Sequence, residues 1–565
     1  MMGQKQQLSG KWTVVVLACL LVCAIYLRFV NLGAPSFWVD EMNHVYAGMS
    51  LSKGEAPRFP SGVPNERALP YSRLVAWSFS LFGVNEFAAR LPSAVFGLLA
   101  IVLVFWVGQE WFGRRVGLIA AFVLTFAHPA IGWSRTCRMY TLFQLLFLLG
   151  VFLFYKGFEA ETTHPLSPPA SANPLLRLRA LLYNQGVRWP WLAASGLVFL
   201  LSLTVHQLTG LFAVTVVVFC AAACIGVLFT AGVAGALRSK YFIALVLAGV
   251  AMLVGGALFD LKSFLAYALS FQPDWAKYAK VEDTHYYYWL LTASDQFPLA
   301  ALFLLGTLQA LARVHKTAIF AVLTFGVPVF LQSFVFSYKT GNYIFNIYPF
   351  YVLLIAFAAS NVYELELNVL PRAQALLGRL GEKARPGLLK GGLVLLLVAW
   401  VPLTVWFRFA VHIPRNGAAG PNGAITHNDW KGALRYVSQH AQPGDVIAST
   451  LPLTVLYYFG RVDYNLNLAH LDESLKWTTP ATDGRHNEFY TGVPSIESVE
   501  ELQQVMAAHA RGWLVVDNYR FGKKQYITPV LSAYIEQHLN RVWQDRKKTV
   551  TVYSWSEQNL GKKTQ

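Results

Sequence analysis

The chain has 565 residues, 55% hydrophobic and only 13% charged, with a mean hydropathy of +0.42. A soluble globular protein carries about 25% charged residues, so the composition excludes a wholly soluble fold and points to a chain largely dissolved in lipid. The net charge of +16 does not mark a nucleic-acid partner: residues 411–565 hold 16 Lys+Arg against 14 Asp+Glu, the residues before them 30 against 16, and no basic stripe with interleaved aromatics falls on a soluble stretch.

Runs of about 20 apolar residues cross a bilayer as helices. Such runs lie at 12–30, 91–110, 117–134, 138–155, 190–208, 209–233, 241–260, 297–312, 318–337, 344–362 and 391–410. The expected architecture is therefore a membrane all-α helical bundle of about eleven spans over residues 1–410, followed by a soluble α/β domain over 411–565. The first run is read as a true span because many more follow it, unlike a cleaved signal. The five cysteines lie in or beside the apolar runs, too sparse for a metal cage.

Loops rich in Lys and Arg stay on the cytoplasmic side. Placing Arg114-Arg115, Lys156, Arg188, Arg238, Lys240, Arg313 and Lys316 inside puts the remaining polar clusters, and the soluble domain, outside the cytoplasmic membrane. The first outer loop opens with Phe37-Trp38-Val39-Asp40-Glu41-Met42-Asn43-His44 and continues to Glu66, Arg67 and Arg73. Later outer segments hold Arg135 and Arg138, then His206, then Asp283, His285 and the run Tyr286-Tyr287-Tyr288-Trp289, then Lys339 and Tyr343. Each has a bland reading: Glu66 can pair with Arg67, Arg135, Arg138 and Lys339 can snorkel to headgroups, and the aromatic run can be an interfacial belt. Their agreement on one face carries the functional reading.

Inside the bilayer boundary, Glu159 to Pro190 is a Pro/Ser/Ala-rich linker over a short amphipathic stretch. Leu365 to Leu389 mixes Leu with Arg and Lys and suits the inner surface. In the soluble part, Asn428-Asp429-Trp430 caps a helix at 431–440, strands are expected at 445–450, 512–517 and 549–555, and further helices at 495–508 and 528–539. No catalytic constellation appears there, which suggests a recognition or docking role.

An acid at a membrane face can take the proton of an attacking hydroxyl. Cations can hold and stabilise a leaving phosphate, and aromatic faces suit a sugar or an isoprenoid. Together they fit sugar transfer from a lipid phosphate. A transporter would want charges near the bilayer midplane, which are nearly absent. A sensory protein would leave these charges replaceable, and a polysaccharide polymerase or ligase is chemically close.

The Phe37-Trp38-Val39-Asp40-Glu41 segment resembles the outer-loop Asp-Glu signature of the C-type, polyprenyl-phosphate-dependent glycosyltransferases. The run from Ser78 to Ser93, the turn Trp133-Ser134-Arg135-Thr136-Cys137-Arg138-Met139-Tyr140, and Lys339-Thr340-Gly341-Asn342-Tyr343 with Tyr348-Pro349 resemble the branch holding the lipid A aminoarabinose transferases and protein O-mannosyltransferases. The resemblance implies a C-type fold and an inverting transfer on the outer face, from a polyprenyl-phosphate-linked sugar to an acceptor lipid, protein or glycan. Asp40 would be the base, with Glu41 orienting it or the acceptor. Arg67, Arg135, Arg138, Tyr140, Lys339 and Tyr343 would hold the donor phosphate, and Glu66, His206, Asp283 and His285 would line the substrate site. Glu66-Arg67 takes the place of a Glu-Lys pair in the aminoarabinose branch, but Ala68-Leu69 replaces two prolines and Asn43 replaces a basic residue. A divalent metal near Asp40, Glu41 and His206 is compatible with these residue types and not required by the resemblance.

Overall fold

The computed structural model describes residues 10–162, 164–167, 173–258, 284–292, 297–336, 339–361, 400, 427–468, 479–480, 486–524 and 526–556. The chain begins with α1 (Gly10–Phe29), then α2 (Met42–Ser52) and α3 (Leu69–Phe82), which stand in the first loop. A helical core follows: α4 (Glu86–Phe112), α5 (Arg114–Phe126), α6 (His128–Ser134) and α7 (Tyr140–Phe158). Next come α8 (Pro174–Asn184), α9 (Trp189–Val205), α10 (Leu211–Leu237) and α11 (Lys240–Leu258). The helical part ends with α12 (Tyr286–Thr292), α13 (Phe297–Ala312), α14 (Lys316–Phe334) and α15 (Tyr348–Asn361).

In lipid a backbone must satisfy its own hydrogen bonds, so apolar segments cross as helices. Among the described residues five helices are long and apolar enough to span, or up to eight if each bent pair is one span. The chain is a multi-pass membrane protein. The expected count of eleven is met only in part. The runs at 241–260 and 344–362 are shorter apolar helices, Lys240–Val254 and Tyr348–Asn361. The run at 391–410, the inner-surface stretch at 365–389 and the boundary at 410 lie outside the described residues, Trp400 apart. The linker at 159–190 contains α8, which turns by 89° into α9.

Burial separates the helices. Only 28% of the most apolar window of α1 is buried within the protein, against 78% for α7. Trp12, Val22 and Tyr26 on α1 are exposed, whereas Leu20, Ala24 and Leu27 turn inward. Close approach comes from glycine: a Cβ on Gly117 of α5 would stand 2.5 Å from the Phe105 carbonyl of α4.

The run at 117–134 is not one straight span, because α5 and α6 meet at 61°. Ala127 is extended and Pro129 follows. Pro129 has no N–H to give the Thr125 carbonyl one turn back. Buried Arg28 fills that role, donating to the carbonyls of Thr125 and Leu124 at 3.2 Å each. Arg135 in turn donates to the carbonyls of Leu27 (3.3 Å) and Arg28 (3.1 Å) at the end of α1. Each arginine closes its neighbour's negative helix end.

Loops assigned to the same side do meet. The buried Glu159 carboxylate accepts from Lys240 at 2.8 Å and Tyr241 at 2.9 Å, and also pairs with Lys316, which joins α7, α11 and α14 at one end of the bundle.

The C-terminal part is an α/β unit. Its helices are α16 (Trp430–His440), α17 (Pro452–Phe459), α18 (Val499–Ala508), α19 (Asn518–Phe521) and α20 (Pro529–His538). Strands β1 (Val446–Ser449), β2 (Tyr464–Asn465), β5 (Arg511–Asp517), β6 (Asn540–Gln544) and β7 (Val550–Ser556) form one sheet in the order β2-β1-β5-β7-β6, with a small separate pair β3 (Thr479–Pro480) and β4 (His486–Asn487). β2, β1 and β5 run parallel, and β7 and β6 antiparallel to their neighbours. Alternation splits each strand between two cores. Val446, Ala448, Leu514 and Val516 pack with Leu502 and Ile535. Ile447, Val515, Val550 and Val552 pack with Trp430 and Val437. The Asp429 carboxylate caps α16 by accepting from the Gly432 amide at 2.9 Å.

Candidate active site at the membrane face

After α1 the chain turns through residues 30–35, with Asn31 at φ +51°, and after Ser36–Trp38 makes a 3₁₀ turn, Val39–Glu41, that leads straight into α2. The turn gives its two acids opposite environments. The Glu41 carboxylate is fully buried. It meets Arg90 of α4 in a two-point contact, from Nε and Nη2 at 2.8 Å each, and accepts the Trp38 amide at 2.8 Å and the Cys137 amide at 2.7 Å. Arg90 spends its remaining N–H groups on the carbonyls of Leu32 (2.9 Å), Pro35 (3.0 Å) and Ser36 (3.1 Å). All five guanidinium donors are used. Burial alone would raise the Glu41 carboxyl, but Arg90, His427 and the Cys137 amide together hold the group below its ordinary value.

Asp40 is partly exposed. Among the described residues its carboxylate accepts no hydrogen bond. Its backbone is fixed, since its carbonyl accepts from Arg138 at 2.8 Å and from the Asn43 side chain at 3.2 Å. Arg138 is buried, lies 5.5 Å from the centre of the Tyr140 ring, and has its own carbonyl tied to Ser93 at 2.9 Å. Burial works against its charge, but Tyr140 and Asp40 raise its affinity for the proton.

Aromatic groups from distant segments complete the wall. His206 stacks on Phe143 at 4.8 Å, with Tyr140 at 6.0 Å and Tyr343 at 5.9 Å. Its Nδ1 accepts from the Leu208 amide at 3.2 Å. The Asn342 side chain donates to the Tyr140 hydroxyl. Lys339 is buried, its ammonium 3.3 Å from the Phe336 carbonyl. The aromatic run is more than a belt: Tyr287 is buried, and its hydroxyl bonds Gln332 at 3.1 Å and the Thr340 carbonyl at 3.2 Å. The segment carrying Lys339 and Tyr343 is thereby anchored to α12 and α14. Burial pushes the Tyr343 hydroxyl up to about 12, with Tyr140 adding to it.

Arg67 is exposed, and its charge acts on His44, His206 and Tyr343. Glu66 is exposed beside it, with no ion pair between the two among the described residues. His44 is buried between Ser72 (3.0 Å) and Met139 (3.4 Å). Burial, then Arg138 and Arg67, hold it neutral.

Thus Asp40, Arg67, Arg138, Tyr140, His206 and Tyr343 converge. Three expected residues stand elsewhere. Glu41 is taken up by Arg90, Arg135 by the end of α1, and His285 is exposed beside Thr284. Asp283 lies outside the described residues. A divalent ion shared by Asp40, Glu41 and His206 does not fit, because both Glu41 oxygens are already bound. Among the described residues no three His, Cys, Asp or Glu groups could hold a metal together.

The C-terminal α/β unit sits on the Asp40 loop. The Tyr458 hydroxyl accepts the Phe37 amide at 2.7 Å and donates to Glu86 at 2.8 Å. Lys431 pairs with Glu86 at 2.8 Å and reaches the Gly33 carbonyl at 3.0 Å. His427 donates to the Ser36 carbonyl at 2.8 Å. Tyr490 reaches further in, so that Asp40, Arg67 and Arg138 all act on its hydroxyl. Neither this tyrosine nor Arg90 stood out in the sequence. Arg90 alone carried a signal, as a lone cation at the start of an apolar run.

Residues 68–167 match the family model described as dolichyl-phosphate-mannose-protein mannosyltransferase. No curated protein matches the sequence. Among solved structures, ArnT from Cupriavidus metallidurans bound to undecaprenyl phosphate is similar with a TM-score of 0.57 at 15% identity, over 97% of this chain and 98% of that one. AglB, an archaeal oligosaccharyltransferase from Archaeoglobus fulgidus in complex with an inhibitory peptide and a dolichol-phosphate, is similar with a TM-score of 0.57 at 12% identity, over 97% of this chain and 74% of that one. The chain accordingly shares its fold with ArnT and AglB across nearly its whole length, and resembles the dolichyl-phosphate-mannose-protein mannosyltransferase family in sequence over residues 68–167.

Proposed function

We propose that the protein is a glycosyltransferase that moves a sugar from a polyprenyl phosphate to an acceptor hydroxyl at the outer face of the cytoplasmic membrane, with inversion. The observation that carries the reading is the contrast between the two adjacent acids: Glu41 is saturated, while Asp40 is partly open, unbonded at its carboxylate among the described residues, and set beside Arg138. A carboxylate so placed is suited to take a proton.

In the step proposed, the acceptor oxygen gives its proton to Asp40 and forms a bond to the anomeric carbon. The bond from that carbon to the phosphate oxygen breaks, and the phosphate leaves with the electron pair. Arg67 and Arg138 stabilise that growing charge. A guanidinium at position 67 can grip phosphate at two points, as a lysine cannot. His206, Tyr140 and Tyr343 line the pocket, Tyr287 and Gln332 keep the last of these in place, and Lys339 of the same segment adds a further cation for the phosphate. Glu41 and Arg135 are positioning residues, holding the Asp40 turn and the end of α1. The soluble domain lies on the same outer face.

The test is transfer from a panel of labelled polyprenyl-phosphate sugars by purified protein. Wild type is expected to use at least one of them, and Asp40→Asn to lose turnover. Turnover by Asp40→Asn at the wild-type rate would refute the assignment.

A further inference from the structure

The turn that carries Tyr490 is internally braced. The half-buried Glu488 carboxylate accepts from the Thr491 amide at 2.7 Å and the Thr491 hydroxyl at 2.6 Å, and the Gly492 amide returns to the Glu488 carbonyl at 2.8 Å. Gly492 has φ +76°, which favours glycine, and a Cβ there would stand 3.6 Å from Ser61. The turn docks on the first outer loop. The Ser61 amide donates to the Tyr490 carbonyl at 3.1 Å, and Tyr490 meets Phe59 edge-on at 4.9 Å. That loop is itself tied to the start of α2, where the Asn65 side chain donates to the Asn43 carbonyl at 2.5 Å, and it runs directly into Arg67. The Tyr490 ring is therefore fixed on the loop that runs from the Asn65 tie on Asn43 to Arg67.

In the transfer proposed above, the cations face the phosphate and Asp40 faces the acceptor. The sugar must lie between them, since it passes from one to the other. Tyr490 stands on the loop that joins the Asp40 side of the site to Arg67, through Phe59 and Ser61, and is thereby placed beside that sugar, where the charges of Asp40, Arg67 and Arg138 also act on it. We infer that Tyr490 is a sugar-contacting residue whose hydroxyl bonds the sugar in transit, so that the soluble domain supplies part of the transfer site. This inference rests on the transferase reading. Burial, then Asp40, hold the Tyr490 proton on the oxygen, leaving a neutral hydroxyl that can both donate and accept, as a sugar hydroxyl requires.

Tyr490→Phe keeps the ring on Phe59 and the backbone bond to Ser61, and removes only the hydroxyl. Three quantities are measured on full-length protein: kcat/KM with a polyprenyl-phosphate sugar that wild type uses, Kd for undecaprenyl phosphate carrying no sugar, and Tm. The expected result is a fall in kcat/KM of roughly tenfold, from loss of one hydrogen bond, with Kd and Tm unchanged. An unchanged kcat/KM would overturn the inference. So would an equal loss of affinity for the bare lipid phosphate, which would place the hydroxyl on the phosphate. Wild type inactive with every donor would remove the transferase reading and this inference together, whereas active wild type with an unaffected Tyr490→Phe removes this inference alone.

Discussion

Two neighbouring acids at positions 40 and 41 show how far identity is from role. Covalently they are one residue apart, yet one carboxylate is fully enclosed by donors and the other is not. Mutating each should separate chemistry from stability. Asp40→Asn is expected to lower kcat by about 10²–10⁴-fold with little change in Tm. Glu41→Gln leaves a buried guanidinium without its counter-charge, which typically costs about 3–5 kcal/mol, and should appear as a lower Tm in detergent. A Glu41→Gln protein with normal Tm and abolished turnover would mean that Glu41 takes part in the chemistry after all. Arg90→Lys should also destabilise, because an ammonium cannot match a two-point grip on Glu41 and three carbonyls.

Among elements, the bend between α5 and α6 sets the position of the turn that carries Arg135, Cys137 and Arg138. Hydropathy cannot report it, since both arms are apolar and together have the length of one span. The local signal is Pro129, which frees a carbonyl one turn back, and Arg28 answers from another helix. Close helix contact is also an element-scale property. Gly117→Ala would drive a methyl group against the Phe105 carbonyl, 2.5 Å away, and backbone cannot yield as a side chain does. A loss of roughly 1–3 kcal/mol is expected, read as thermal stability in detergent. An unshifted melting curve would show that α4 and α5 can separate there without cost.

At the scale of the whole molecule, the C-terminal α/β unit and the Asp40 loop are one polar assembly joined through Glu86, Tyr458, Lys431 and His427. Tyr458→Phe removes the acceptor of the Phe37 amide and the donor to Glu86. It should weaken docking by about 1–3 kcal/mol, seen as faster proteolysis between the domains. Acid should loosen the same seam. Burial, then Arg90, lower His427 from 6.5 to about 4, with Glu41 opposing. The folded form therefore binds fewer protons than the unfolded one between those values. Docking is fully present above pH 6.5 and declines as pH falls towards about 4. His427→Gln should flatten that part of a Tm-against-pH profile, and an unaltered slope would assign the acid sensitivity to another group.

By itself the sequence determined the membrane class, a C-terminal α/β part, three of its strands (β1, β5 and β7) and three of its helices (α16, α18 and α20). It also placed polar chemistry at one face, because the cost of ionised groups in hydrocarbon and the periods of helix and strand act locally along the chain. It identified Asp40, Arg67, Arg138, His206 and Tyr343 as candidates on the same grounds. Which acid stays open, which arginine closes a helix end and whether Tyr490 reaches the site were decided only by tertiary structure. Those outcomes depend on who takes each carboxylate oxygen and each N–H, and the partners (Arg90 for Glu41, Arg138 for the Asp40 carbonyl, Ser61 for Tyr490) lie dozens to hundreds of residues apart.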